Sequence, residues 1–361
     1  MYVFAKRLFK DTFVAACVGI MITFDCMHYT LSRIATIDIF VAFFIILAYY
    51  FLFKYFELDT IYHQNTKKFK KDTFPPVEIY RPLALSGIAM GLAIATKLTG
   101  VYAAVGMAIL LIIHLIKNPP KHQTVKLFWF CFAFFIVTPL VLYTLAYIPT
   151  VELYADPING DRSVSWNENG LYIGYGYTGL LARTLRNTNY MINYHSNLEA
   201  THYYGSPFYE WPIMKMPLLA ACDTVNEYGD ISAVSYIGNV VIWWSAIPCV
   251  IYTLYLALFK KDKTARFLLI SYLAQYVPWM SVKRLTFIYH YLPSAIFSMF
   301  MIGLTIKKII DKYPKAVKYV RVYLGLIILA FLLYFPVISG IPFAKAWGEH
   351  LRLLKSWILV L

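Results

Sequence analysis

Charge is scarce in this chain of 361 residues, and acid is scarcer than base. Only 14% of the residues are Asp, Glu, Lys or Arg, with 19 acidic against 33 basic. Soluble domains carry roughly 25%, so a surface facing water on all sides is excluded. Cysteine is sparse as well: Cys17, Cys26, Cys131, Cys222 and Cys249 are odd in number and form no CxxC or Cys/His ligand spacing. That excludes a disulfide framework and a zinc site, and most of the five read as small buried hydrophobes. No cleavable signal peptide opens the chain, because MYVFAKRLFKD reads as the basic end of a preceding apolar segment. Internal repeats and matched pairs of broken spans are missing too, which argues against a secondary transporter.

Apolar residues are abundant, at 60% of the chain, and they fall in runs near the ~20 residues that cross a bilayer. The expected fold class is an all-α polytopic membrane protein, a helical bundle of about nine transmembrane helices with one long outer loop. The spans fall near 12–30, 37–56, 82–97, 100–117, 126–148, 236–259, 265–282, 286–306 and 319–338. Residues 81–117 are too long for one span, and Lys97-Leu-Thr-Gly100 supplies the turn that divides them. Asn118-Pro-Pro-Lys121 ends that hairpin. The chain thus divides into a five-helix membrane portion (1–148), an outer aromatic-rich loop (149–235), a four-helix membrane portion (236–338) and an outer C-terminal tail (339–361). The tail is amphipathic from 342 and is expected to lie along the interface.

The net charge of +14 is not spread as a nucleic-acid surface would be. Most of the 33 basic residues sit in one alternating set of short loops, among them Lys67, Lys68, Lys70, Lys71, Lys121 and the run Lys307–Arg321. By the positive-inside rule those loops are cytoplasmic. The junction at 25–38, the Lys97 turn, the loop 149–235, the turn at 281–290 and the C-terminus then face outside.

Every unusual polar cluster falls on that outer side. Asp25, His28, Arg33 and Asp38 crowd the junction between the first two spans, where ionisable groups are expensive unless they face protein, water or a charged ligand. One reading is an Arg33–Asp38 pair that fixes the hairpin, with Thr36 capping the next helix. The other places the Arg33 fork on an anionic headgroup, oriented by Asp38. Lys97 is either a snorkelling lysine or a second phosphate contact. His195 and His202 are seven apart, two helical turns, in MINYHSNLEATHYYGSPFYEWP, so a helix between them turns both one way. That segment reads as an interfacial helix or as an aromatic face beside a carboxylate that stacks on sugar. Its His pair is too weak a signal for a metal. Lys283 and Arg284 break the charge bias ahead of Tyr289, His290 and Tyr291, as an interfacial anchor or as another cationic group for a lipid phosphate.

With those residues in view, the chain resembles the protein O-mannosyltransferase family, GT-C glycosyltransferases that use a polyprenyl- or dolichyl-phosphate mannose donor. The resemblance rests on FDCMHYTLSRIATID (24–38), SGIAMGLAIATKLTGVY (86–102), HYYGSPFYEWPIMK (202–215) and PWMSVKRLTFIYHYLP (278–293), in the family's order. It is nearest the bacterial members, since there is no room for the eukaryotic MIR insertion. The family has eleven membrane helices, and its first outer loop carries an Asp-Glu motif with the proposed base, then a His-Pro-Pro-rich motif. Neither motif stands in this sequence. The resemblance therefore equates its helices with the third to the eleventh and implies a catalytic carboxylate upstream of Met1 or on a separate N-terminal piece. No residue is assigned as the base.

Carried over, Arg33 and Asp38 match the family's Arg/Asp motif. Arg284, Tyr289, His290 and Tyr291 match its later outer cluster, and His202, Ser206, Tyr209, Trp211 and Pro212 match the signature in its long loop. Residue reading and resemblance together place Arg33, Arg284, His290 and Lys97 on the donor phosphate, with Asp25, His28, Asp38, His195, His202, Ser206, Tyr209, Trp211, Tyr289 and Tyr291 in supporting, sugar- or acceptor-binding roles; Lys97, Asp25, His28 and His195 come from the residues alone, Asp25 equally as a helix cap or boundary charge. The resemblance implies a multi-pass cell-membrane enzyme with an extracytoplasmic active face, inverting transfer to Ser/Thr of a secreted protein, and no cofactor or metal beyond the lipid-linked donor. Partners expected are the bilayer, polyprenyl-phosphate mannose, the acceptor protein and a separate N-terminal portion or dimer partner, with no nucleic acid. Transfer to lipid A or another glycan, an inactive or split subunit, and a secondary transporter are the alternatives.

Overall fold

Short polar side chains ahead of apolar runs set four of the described helix starts, at Asp11, Asp25, Asn239 and Asp262. The computed structural model describes residues 1–66, 77–119, 124–149, 164–166, 171–173, 180–227 and 229–361. The expected basic loop at Lys67–Lys71, its Pro75-Pro76 breaker and Lys121 lie outside the described residues. In chain order come α1 (Tyr2–Phe9), α2 (Thr12–Thr23), α3 (Cys26–Arg33), α4 (Asp38–Thr66), α5 (Val77–Thr96) and α6 (Val101–Lys117). These are followed by α7 (Thr124–Phe132), α8 (Thr138–Leu145), β1 (Val164–Trp166), β2 (Leu171–Ile173) and α9 (Leu180–Asn197). The remainder is β3 (Leu218–Thr224), β4 (Asp230–Tyr236), α10 (Val240–Leu258), α11 (Lys263–Tyr276), α12 (Leu292–Lys312), α13 (Val317–Ser339), β5 (Pro342–Ala344) and α14 (Lys345–His350).

The protein is a helical, multi-pass membrane protein. Among the described residues seven helices are long and apolar enough to cross a bilayer, and an eighth results if the bent pair α2–α3 counts as one span. Nine spans were expected, and two features explain the difference. The span expected near 12–30 is broken between Thr23 and Cys26, where the two helices meet at 56°. The span expected near 265–282 is α11 continued by a 3₁₀ turn over Val277–Ser281, and Lys263, Arg266 and Gln275 leave it too polar to stand among those seven.

The chain forms two compact units. One comprises Met1–Ala42, Val105–Leu110 and Thr201–Leu361, and the other Phe43–Ala104 and Leu111–Ala200. In the first, Asp11, Asp25, Asn239 and Asp262 accept backbone N–H groups at the starts of α2, α3, α10 and α11. The sheet β3-β4-β5 is antiparallel throughout, with Cys222 opposite Ala233 and Ile231 opposite Phe343. Thr36 does not cap α4: its buried hydroxyl is two residues short of the helix and has no hydrogen-bond partner.

The tail also departs from expectation. It does not lie as an amphipathic helix but pairs as β5, turns through the six-residue α14 and re-enters the fold, with Trp357 and Leu359 fully buried. Likewise the interval 149–235 contains, where described, α9 and the β3–β4 hairpin rather than loop alone.

In the second unit the Lys97 turn stands as expected. α5 ends at Thr96, a short 3₁₀ turn covers Leu98–Gly100, and α6 follows. A Cβ at Gly100 would lie 2.5 Å from the Ala93 carbonyl carbon, so the turn closes tightly only with glycine. A π-helical turn at Ala133–Val137 joins α7 to α8 and lies against Gly87 of α5. Asp59 and His114 are both buried and meet at 2.7 Å, with the Phe56 ring stacked on His114 at 4.4 Å.

Candidate active site

The crowded junction at 24–38 is a helix break held by a buried carboxylate. Asp25 is fully buried. Its Oδ2 accepts the His28 amide at 2.9 Å, while Oδ1 accepts the Asn239 amide at 3.1 Å and the Trp243 indole N–H at 2.9 Å. Asn239 in turn donates to the carbonyls of Phe24 (2.8 Å) and Ile327 (2.9 Å). Asp25 is therefore saturated by protein donors and supports the site from inside. His28 contributes its backbone amide here and its ring is half-buried. At the far end of α3, Arg33 is exposed, its guanidinium 5.3 Å from the centre of the Tyr29 ring.

The two aromatic motifs fold on each other. The Ser206 amide donates to the Thr286 carbonyl at 2.9 Å, and the Thr286 hydroxyl returns to the Ser206 carbonyl at 2.8 Å. The Trp211 indole reaches the same Ser206 carbonyl at 3.1 Å. Beneath lies an aromatic core. Trp211 packs on Trp279, His290 and Tyr291, and the Tyr291 and Tyr272 hydroxyls meet at 3.0 Å. Ser206, Trp211, His290 and Tyr291 are all buried, so they build the platform rather than its face. His202, edge-on to Phe287 at 5.3 Å, and Tyr209 remain exposed. Glu210 forms an ion pair with Lys215.

Asp38 joins this platform at its rim. Burial and then the Asp38 charge push the Tyr236 phenol above its ordinary range, and Tyr236 meets Tyr289 edge-on at 6.0 Å. Tyr289 feels the charges of both Asp38 and Arg284 and stacks on His290 at 4.4 Å. Asp38, Tyr289, Arg284 and His290, from two motifs some 250 residues apart, thus share one neighbourhood. An acid, a guanidinium, phenols and exposed aromatic faces can bind an anion and stack on a sugar.

Two family models match consecutive parts of the chain in this order. The one described as dolichyl-phosphate-mannose-protein mannosyltransferase matches residues 1–155. The C-terminal four-transmembrane region of protein O-mannosyltransferase matches 181–357. The chain belongs to the protein O-mannosyltransferase family.

Similar family members include the polyprenol-phosphate-mannose–protein mannosyltransferase of Mycolicibacterium smegmatis, 22% identical over 98% of this chain and 73% of that protein. The same-named protein of Mycobacterium tuberculosis is 23% identical over 98% of this chain and 72% of its own length. Among solved structures, the Saccharomyces cerevisiae Pmt1–Pmt2 complex bound to the sugar donor shares the fold, with a TM-score of 0.75 at 14% identity over 99% of this chain and 79% of that one. The transporter and inactive-subunit alternatives are not favoured by these matches.

Two expected site residues lie in the second unit. Lys97 is half-buried at the α5–α6 turn. His195 is exposed near the end of α9, which stops at Asn197, so no helix carries His195 and His202 on one face. That pairing is corrected: beyond Asn197 the His202 ring instead accepts the Tyr204 amide at 3.2 Å. Among the described residues no group of three His, Cys, Asp or Glu is placed to hold a metal. Sequence reasoning missed Tyr236, Asn239, Trp243 and Trp357. Only Asn239 carried a usable signal, a cap residue directly before an apolar run.

Proposed function

We propose that this chain binds a polyprenyl-phosphate mannose donor and transfers its mannose, with inversion, to Ser or Thr hydroxyls of secreted proteins at the extracytoplasmic face of the cell membrane. The observation that carries the reading is the closure of 202–215 on 278–293, where the charges of Asp38 and Arg284 both act on Tyr289. The acceptor hydroxyl attacks the anomeric carbon as the bond to the lipid-phosphate oxygen breaks. Its proton passes to a carboxylate base, a role we assign to no residue of 1–361. Arg33 and Arg284 bind the phosphate and stabilise the charge that develops on it. His202 and Tyr209 offer exposed rings for the sugar or the acceptor chain. The reading calls for no cofactor beyond the reactants, and the lipid-linked sugar enters as a substrate. A second family member is the proposed partner, by analogy with the yeast Pmt1–Pmt2 complex.

The test is transfer of labelled mannose from polyprenyl-phosphate mannose to a Ser/Thr peptide by the full protein in membranes. Arg33→Ala is expected to lower turnover by roughly 100-fold or more, the effect of removing a charge-stabilising donor. Full activity in Arg33→Ala overturns the phosphate role. Lost turnover with unaltered donor binding places Arg33 on the charge that develops in the transition state rather than on the bound donor.

A further inference from the structure

The break between α2 and α3 poses a question that the donor site does not answer: what aims α3. The helical ladder of α2 ends with the Phe24 amide on the Ile20 carbonyl, and α3 leaves at 56°. No continuous helix therefore transmits direction from α2 to Arg33. Helix α3 has only eight residues, and Asp25 and Arg33 stand at its two ends. At 1.5 Å per residue they are about 12 Å apart along the axis, so a tilt of about 10° at Asp25 displaces Arg33 by about 2 Å.

The Asp25 carboxylate ties the start of α3 to the start of α10, while Tyr29 and Thr30 further along α3 rest on Phe331, Phe335 and the Ser235 carbonyl. One oxygen takes the α3 amide of His28, and the other takes Asn239 N–H and Trp243 Nε1–H at the start of α10. All three donors are uncharged N–H groups. A buried carboxylate held that way is a costly means of joining two helices when apolar packing would serve; what it adds is direction, because each bond has a narrow geometry. The Trp243 end is itself locked. A Cβ at Gly238 would lie 2.1–2.3 Å from three atoms of the Trp243 indole, and the Trp243 ring meets Tyr291 edge-on at 5.2 Å.

We propose that Asp25 is a positioning residue for the transfer reaction, aiming Arg33 through α3 by bridging the His28 amide to Asn239 and Trp243. The proposal rests on the phosphate role given to Arg33 above. It sharpens the supporting role expected of Asp25 from the sequence, since its carboxylate is taken up by protein N–H donors.

The experiment compares wild type, Asp25→Asn, Trp243→Phe and Arg33→Lys, and each of the first two variants combined with Arg33→Lys. Steady-state transfer is measured per folded molecule, folded protein being quantified by gel-filtration monodispersity. Asp25→Asn puts an N–H₂ against donors, and is expected to lower kcat roughly tenfold to 100-fold, with the donor KM changed less than threefold. Trp243→Phe removes one bond, keeps the ring and gives a smaller loss of the same kind. In the Arg33→Lys background both losses shrink below threefold, because a flexible ammonium replaces the rigid guanidinium fork whose direction they set. Losses that multiply with Arg33→Lys, or wild-type kcat per folded molecule in both single variants, overturn the proposal. If Asp25→Asn does not fold, Trp243→Phe decides by the same criterion. If Arg33→Lys alone has wild-type turnover and wild-type donor KM, no rigid fork at position 33 needs aiming and the proposal is overturned, whereas full activity in Arg33→Ala fails the phosphate reading itself.

Discussion

Trp357 is the side chain on which the ordering of the C-terminal tail should depend most. It is fully buried, faces Trp244 and Tyr334 at 6.3 Å each, and donates its indole N–H to the Met214 carbonyl at 2.6 Å. Met214 is also fully buried and adopts a left-handed backbone (φ 53°) at the end of the 202–215 motif, a conformation that a non-glycine residue holds only with support. Trp357→Ala removes a large core side chain and should cost about 3–5 kcal/mol. Trp357→Phe keeps most of the ring and strands the Met214 carbonyl, costing about 1–3 kcal/mol. At about 2 °C per kcal/mol for a large domain, thermal unfolding in detergent should drop by about 6–10 °C and 2–6 °C respectively. Transfer activity per folded molecule should fall in the same order, since the segment carrying Tyr209 and Trp211 loses its brace. A tail merely draped on the membrane interface would behave as a surface site, within ~0.5 kcal/mol. A Trp357→Ala protein melting within 1 °C of wild type would refute the argument.

Three further outcomes are expected. Gly87→Ala places a Cβ 2.3 Å from the Phe134 carbonyl oxygen, whereas Gly325→Ala meets nothing within 4 Å. The first should destabilise by about 1–3 kcal/mol and the second should be neutral or stabilising by up to ~1 kcal/mol, so equal losses in a detergent-unfolding titration would contradict the packing described. Burial works against ionisation of Asp262, yet hydrogen bonds from Lys308 Nζ (2.7 Å) and the Ala265 amide (3.0 Å) outweigh it and hold the carboxyl below its usual value. Its stabilisation is then complete above the unfolded carboxyl pKa of about 3.9 and lost as pH falls through the lower folded value; the Asp262→Asn deficit should be constant from pH 7 to 5 and vanish only in stronger acid. Gly205→Ala drives a Cβ to 2.4 Å from Leu285 Cδ1, at the seam between the two aromatic motifs. It should reduce transfer more than it reduces melting temperature, and Leu285→Ala in the same chain should restore part of the activity.

Much of the architecture was legible because it is written locally. Apolar run length separates the spans, and a lone Lys97-Leu-Thr-Gly100 between two runs is sufficient to place a turn. The break at 24–25 was harder, because Phe24 and Asp25 interrupt a run that hydropathy alone reads as continuous. The count of nine is not met there, where the helix bends, nor at α11, which a 3₁₀ turn lengthens but whose Lys263, Arg266 and Gln275 keep it too polar. The His195–His202 helix failed for a different reason: the spacing permits a helix, while the chain ends α9 at Asn197 and turns the His202 ring onto the Tyr204 amide.

The site divides along the same line. By itself the sequence determined the membrane class, the family and the presence of Arg33, Asp38, Arg284 and the aromatic motifs. It also offered Asp25 as a helix cap or a boundary charge, and the cap stands, with the His28 amide on its carboxylate. Its second attachment was decided only by tertiary structure, since its partners Asn239 and Trp243 lie 214 and 218 positions away. Trp357 meets Met214 across 143 positions in the same way. Hydropathy and spacing report the cost of burying a group, whereas the compensating bonds come from segments that only the folded chain brings within 3 Å.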